Sequence, residues 1–250
     1  MGIRIIILFF LFNSNYLLSQ NEYDFKLGGD GNTGNYNSIG LTLDLKTKLK
    51  DSNSIYQEYN TFYRLSAQSA YKSQKLNLYE NELYLNLYNY KEIKKFKFII
   101  FSEIEHSFMR SIRYRANFGI GLGYTFVNSK IFKLNISEIL LPEFFNSDLG
   151  EYYDVFNIRS STRIKGEFII DKVKLSTLNL IQPVFYNSKN ITSLENNLNL
   201  RSFNELDFSI SKYFSIGINY LLTIQGYSSY INAEIKPIEQ TFFISLKYSR

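Results

Sequence analysis

The feature that most constrains this chain is a two-residue alternation of apolar and polar side chains held over long stretches. Ile39, Leu41, Leu43 and Leu45 interleave with Gly40, Thr42, Asp44 and Lys46. Successive side chains of a strand point to opposite faces, so this order makes one face greasy and the other charged, and no helix can use it. The pattern recurs with Leu83, Leu85 and Leu87 against Glu82, Tyr84 and Asn86. It returns with Phe118, Ile120, Leu122, Tyr124 and Phe126 against Asn117, Gly119, Gly121, Gly123 and Thr125. Ile164, Phe168 and Ile170 against Arg163, Lys165 and Glu167 repeat it, as do Ile216, Ile218, Tyr220, Leu222 and Ile224 against Gly217, Asn219, Thr223 and Gln225.

The alternation predicts about twelve strands, over 22–29, 36–49, 55–69, 76–89, 95–110, 114–127, 131–142, 153–170, 173–186, 197–211, 214–228 and 238–249. Several exceed the usual five or six residues of a globular sheet and suit a tilted strand crossing a bilayer. No stretch beyond the N-terminus approaches the roughly 20 apolar residues of a membrane-spanning helix. The expected fold is therefore all-β, an antiparallel up-and-down transmembrane β-barrel. Composition agrees: 17% of residues are aromatic, with 21 Tyr and 22 Phe, and such barrels carry aromatic girdles at both membrane interfaces. Connections alternate in length, as short periplasmic turns and longer external loops would. With a periplasmic N-terminus, the tight set is Lys50–Ser54, Asn89–Lys94, Asn128–Lys130, Asp171–Lys172 and Lys212–Tyr213. The longer set includes Asp30–Asn35, Ala70–Lys75, Glu143–Tyr152, Asn187–Asn196 and Ser229–Pro237, with Met109–Arg113 a short exception.

The N-terminus reads as an export signal. Arg4 precedes the apolar run Ile5 to Phe12, and Ser19 stands before Gln20, which predicts cleavage after Ser19 and one barrel domain over 20–250. There is no cysteine, so neither a lipid attachment after the signal nor a disulfide is expected. The net charge of +5 comes from dispersed basic residues, which gives no nucleic-acid footprint. The expected location is the outer membrane of a Gram-negative envelope, with membrane lipid and, during biogenesis, the barrel-assembly machinery as partners.

Gly31-Asn-Thr-Gly34 precedes the first long strand, Arg113-Tyr-Arg115 leads into Gly119-Ile-Gly-Leu-Gly-Tyr124, and Pro142-Glu143, Gln182-Pro183 and Pro237 follow downstream. In that order and spacing the chain resembles the outer-membrane barrels of domain of unknown function family 481, the salt-induced-protein-like group. The resemblance spans most of the mature chain and implies an outer-membrane barrel. It implies no substrate and no catalytic residue. The Leu140-Leu-Pro-Glu143 segment and the terminal Ser249-Arg250 depart from what such barrels lead one to expect.

Strand parity turns one set of charges inward: Glu80, Glu82, Glu103, Glu105, Arg113, Arg115, Arg159, Arg163, Lys165, Arg201, Glu205 and Asp207. Neighbouring strands place acids and bases within cross-strand reach, so the expectation is a lattice of ion pairs lining a narrow lumen. Glu103 and Glu105 share a face, but arginines nearby would keep both ionised and unsuited to acid–base work. His106 falls on the outward parity, away from any site in the lumen. Gly119, Gly121 and Gly123 lie every second residue in a strand with no Lys-Ser/Thr after them, which suits close packing and not phosphate binding. Gly28 to Gly34 holds one acid where a calcium loop needs several. No metal or cofactor is expected. The functional expectation is a non-enzymatic barrel, either structural or a narrow small-solute channel. Two alternatives stay open: a barrel enzyme acting on lipid or peptide, and a soluble periplasmic lipocalin-like carrier, which would turn Leu41, Leu43 and Leu45 inward.

Overall fold

The computed structural model describes residues 22–33, 36–50, 55–70, 77–107, 112–147, 154–188, 198–225 and 238–249. The expected export signal and most of the longer connections lie outside the described residues. The described chain forms β1 (Glu22–Thr33), β2 (Tyr36–Lys50), β3 (Ile55–Ala70), β4 (Asn77–Ile93), β5 (Phe96–Ser107), β6 (Ile112–Asn128) and β7 (Phe132–Ser147). It continues through β8 (Val155–Ile170), β9 (Val173–Gln182), β10 (Val184–Asn187), β11 (Asn199–Ser209), β12 (Phe214–Gln225) and β13 (Ile238–Ser249).

Strands pair antiparallel with their sequence neighbours, and β13 returns to β1 from Asp24↔Ser249 to Gly29↔Ile244, so the sheet closes on itself. Closure removes the open edges of the sheet, apart from the short β10, which among the described residues pairs with β8 alone, and a closed ladder is the condition for a sheet in lipid. Pro183 splits the strand expected over 173–186. Lacking an N–H, it cannot donate to the ladder, although its carbonyl accepts from Ser160 N at 3.2 Å. β9 and β10 both pair with β8, so together they form one stave and the thirteen strands make a ring of twelve.

Three expectations about connections change, the first at Asp30–Asn35, where β1 and β2 stay paired as far as Thr33↔Asn37 in place of the longer connection expected. β4 and β5 run on to a two-residue turn at Lys94–Lys95, with Lys94 at φ 59°, where a longer Asn89–Lys94 connection is expected. β7 continues past 142 to Ser147, taking Glu143 out of the expected loop and into the wall. Pro142 interrupts the β6–β7 ladder without ending the strand: pairing resumes from Ile120↔Leu140 to Asn117↔Glu143 across it.

The two faces of the wall differ in kind. Leu41, Ile120 and Phe242 are 53%, 62% and 64% exposed, whereas Glu105, Arg115 and Glu143 are each 1% exposed. Leu45 is exposed too, so the alternation carries its leucines outward, opposite to a lipocalin-like carrier. Aromatic side chains on the outer face gather toward both ends. Phe96, Tyr124 and Phe126 pack together beside the short turns at 5.0 and 4.9 Å between rings, and Phe144, Phe156 and Tyr186 do so toward the longer connections. The outer face is interrupted by Glu138, whose carboxylate accepts from Thr162 Oγ1 at 2.5 Å.

Candidate functional site

The inward face of the barrel holds the groups on which function can depend. Glu103 and Glu105 sit on β5, Arg115 and Asn117 on β6, Glu143 on β7, Arg159 on β8 and Arg201 on β11, all turned inward by strand parity. Arg115 Nη1 donates to Glu105 at 2.6 Å while its Nε lies 3.2 Å from Glu143. Arg159 Nε donates to Glu143 at 2.8 Å, and Asn157 Nδ2 donates to the same carboxylate at 2.5 Å. Arg201 Nη2 spans both oxygens of Glu105 at 2.7 and 2.6 Å. Glu103 accepts from Tyr84 Oη at 2.7 Å and from Asn117 Nδ2 at 2.9 Å, with Arg201 Nη1 at 3.9 Å. Four staves lie between β5 and β11 in one direction and six in the other, so the Arg201–Glu105 pair crosses the lumen. The result is a transverse layer of three carboxylates and three guanidiniums, balanced in charge.

Nearer the short turns the inner face carries a cluster of Tyr56, Tyr88, Tyr90, Ile99, Phe101, Ile139 and Leu141. Tyr56 and Tyr90 stack at 4.8 Å with rings 8° from parallel. Cations lie over these rings: Arg163 over Tyr88 at 4.3 Å and Phe101 at 5.2 Å, Lys97 over Tyr90 at 4.7 Å, and Lys48 over Tyr56 at 5.4 Å. Such contacts add attraction that grows as water is excluded. Glycines in β6 permit the crowding. A Cβ on Gly121 would collide with the Glu138 backbone carbonyl and come within 2.8 Å of Ile139, and one on Gly119 would collide with the Leu140 carbonyl.

Solved structures of the same shape are outer-membrane proteins. An outer membrane channel from Pseudomonas putida F1 superposes with a TM-score of 0.51 over 95% of this chain and 98% of that one, at 9% identity. The fold is that of an outer-membrane β-barrel. The NanC porin matches with a TM-score of 0.49 at 8% identity, covering 91% of this chain and 97% of that one. The translocator domain of the autotransporter NalP from Neisseria meningitidis matches at 0.46 and 10% identity, covering 98% and 94%. No protein-family model matches the chain, and no curated protein matches it either.

Of the charges expected inside the barrel, Glu103, Glu105, Arg115, Arg159 and Arg201 meet in the transverse layer, and Arg163 joins the aromatic cluster. Glu205 pairs with Lys26, and Asp207 lies 3.5 Å from Lys247, both nearer the short turns. Lys165 faces inward at the short-turn mouth, with its side chain 47% exposed, 3.8 Å from Glu167. Arg113 is different: it is exposed, not luminal. Ser107↔Ile112 and Glu105↔Arg115 enclose one more residue on β6 than on β5, and that bulge flips the parity of residues before it. Glu80 and Glu82 keep their places in β4, but their side chains lie outside the described residues. His106 sits on the outward parity, its Nδ1 3.0 Å from the Arg113 carbonyl oxygen. Sequence reasoning missed Glu143, Tyr84, Asn117 and Asn157. Glu143 was within reach, since parity counted from Lys133 and Asn135 through Pro142 turns it inward.

Proposed function

We propose that the protein is an integral outer-membrane β-barrel that conducts small hydrophilic solutes through a narrow lumen constricted by the transverse ion-pair layer. One observation carries this reading: the wall is apolar outside and charged inside, the reverse of a water-soluble protein. Leu41, Ile120 and Phe242 face outward while Glu105, Arg115, Glu143 and Arg159 are buried within. Well-packed apolar side chains stabilise an interior as well as buried ion pairs or better. The side chains of the layer are 1–5% exposed, so solute passes only where they move aside, and the polar inner face is what a hydrated solute requires along the rest of its path. Twelve staves give a lumen wider than the eight-stranded case that side chains fill, and narrower than a 16-stranded porin. Export by the N-terminal signal, insertion by the barrel-assembly machinery and contact with outer-membrane lipid follow from this reading.

The Arg201–Glu105 pair, which crosses the lumen, favours a second reading, a closed barrel with a structural role. Planar-bilayer recording with heat-modifiable gel migration separates the two. A conducting barrel gives discrete small current steps and migrates faster before boiling than after. Heat modifiability without steps would leave the closed barrel, and loss of both would remove the membrane assignment.

A further inference from the structure

Resting on the channel reading, we infer that the short-turn vestibule makes the passage anion-selective and that its solutes are small anions bearing carboxylate or phosphate groups. The transverse layer has no preference of its own, because its three carboxylates and three guanidiniums balance. The vestibule between that layer and the short turns does not balance. Lys48, Lys97, Arg163 and Lys165 surround the aromatic cluster, where Glu58 is the acid, accepting from Tyr90 Oη at 3.2 Å, and Glu92 lies near Lys97.

A second group, closer to the mouth and sharing Lys165 with the first, adds to the excess through Lys133 and Lys174. The carboxylate of Glu167 has three lysines around it, Lys133 at 3.6 Å, Lys165 at 3.8 Å and Lys174 at 3.8 Å. One carboxylate cannot neutralise three ammonium groups, and these lysine side chains are 36% to 47% exposed, so they meet entering solute. The further pairs at this level, Lys26–Glu205 and Lys247–Asp207, cancel. The excess among the described side chains is therefore positive. It lines a confined passage whose low-dielectric wall focuses the field and concentrates counter-ions. Rings of Lys and Arg select anions in pores by the same effect. Arg163 adds a forked donor to the charge: its guanidinium carbon lies 4.3 Å from the centre of the Tyr88 ring and 5.2 Å from that of Phe101, and a guanidinium so placed can meet a carboxylate or phosphate in two-point fashion.

The test is the zero-current potential of the purified protein in a planar bilayer under a KCl gradient, repeated with acetate replacing chloride. The intact channel is expected to favour chloride over potassium several-fold and to pass acetate. The combined variant Lys133→Glu, Lys165→Glu and Lys174→Glu is expected to abolish or invert that preference, while Lys133→Arg, Lys165→Arg and Lys174→Arg keeps it. Heat-modifiable migration checks that both variants fold, and if the glutamate variant does not, single Lys165→Glu and Lys174→Glu channels must each weaken the preference. Current steps with no anion preference, or a preference untouched by the glutamate substitutions, overturn the vestibule and leave the channel standing. Absence of steps from the intact protein overturns the channel and the vestibule with it.

Discussion

At the residue scale, Glu105 shows how the interior is tied together. Its carboxylate is held by Arg115 from the adjoining stave and by Arg201 from across the lumen, and it is 1% exposed. Removing one partner from a buried pair leaves an uncompensated charge, which costs about 3–5 kcal/mol, whereas removing both together costs far less. Arg201→Ala should therefore lower the urea midpoint of the refolded barrel strongly. It should also enlarge the current step, because the side chain that crosses the lumen is gone. Adding Glu105→Gln should restore part of the stability and none of the constriction. If Arg201→Ala leaves both the midpoint and the step unchanged, the cross-lumen pair is not formed in the working protein. The residue scale is also where reading the sequence succeeded unevenly. Parity places Glu103, Glu105, Arg115, Arg159 and Arg201 together because the strands that carry them are regular between their pairings. It fails at Arg113, where a single extra residue reverses the alternation, and nothing in the letters Arg113-Tyr-Arg115 marks that bulge.

At the scale of elements, β6 and β7 explain how a wall can press so closely on its own interior. Gly119 and Gly121 let the β7 backbone and the side chains of Ile139 and Leu141 fill the space that a Cβ would occupy. A β-branched residue there would have to displace a backbone carbonyl, not a flexible side chain. Gly121→Val should accordingly yield barrel that refolds poorly, with most material migrating as the unfolded form on unboiled gels. Gly123→Ala should be milder, since its added Cβ would meet side-chain atoms of Ser137 and Ile99 at 3.1 and 3.2 Å, which can shift. Equal yields from the two variants would contradict the close approach. The glycine spacing is visible in the sequence, but the strand it accommodates is not. Pro142 and Pro183 both sit where a proline normally argues against a strand. Pro183 divides β9 from β10, whereas β7 absorbs Pro142 as a gap in one ladder, a difference that depends on the pairing strands on either side and not on the proline itself.

For the whole molecule, the alternation fixes more than any motif, since it specifies both closure and sidedness. Along β6 and β13 the outward apolar residues alternate with polar residues or glycine on the inner face, Phe243 apart, so a shift of one residue in register would exchange the two faces along an entire stave. That leaves the twelve-stave ring largely legible beforehand. The partners inside it were not legible, because which staves face each other across the lumen depends on the ring and not on neighbouring letters. Sidedness supplies a test that separates a barrel in lipid from one in water. Ile120 and Leu122 stand near the middle of β6, 62% and 58% exposed, with apolar neighbours above and below. In a bilayer, a lysine or arginine at mid-depth on the lipid face costs about 2–4 kcal/mol. On a protein surface in water the same change costs close to nothing and aids solubility. Ile120→Lys should therefore lower the urea midpoint of the protein folded into lipid vesicles by an amount matching that cost. Lys133→Gln, on the luminal side, should change it much less. If Ile120→Lys is neutral in vesicles, the outer face of β6 does not touch hydrocarbon, and the apolar wall must be covered by something other than lipid.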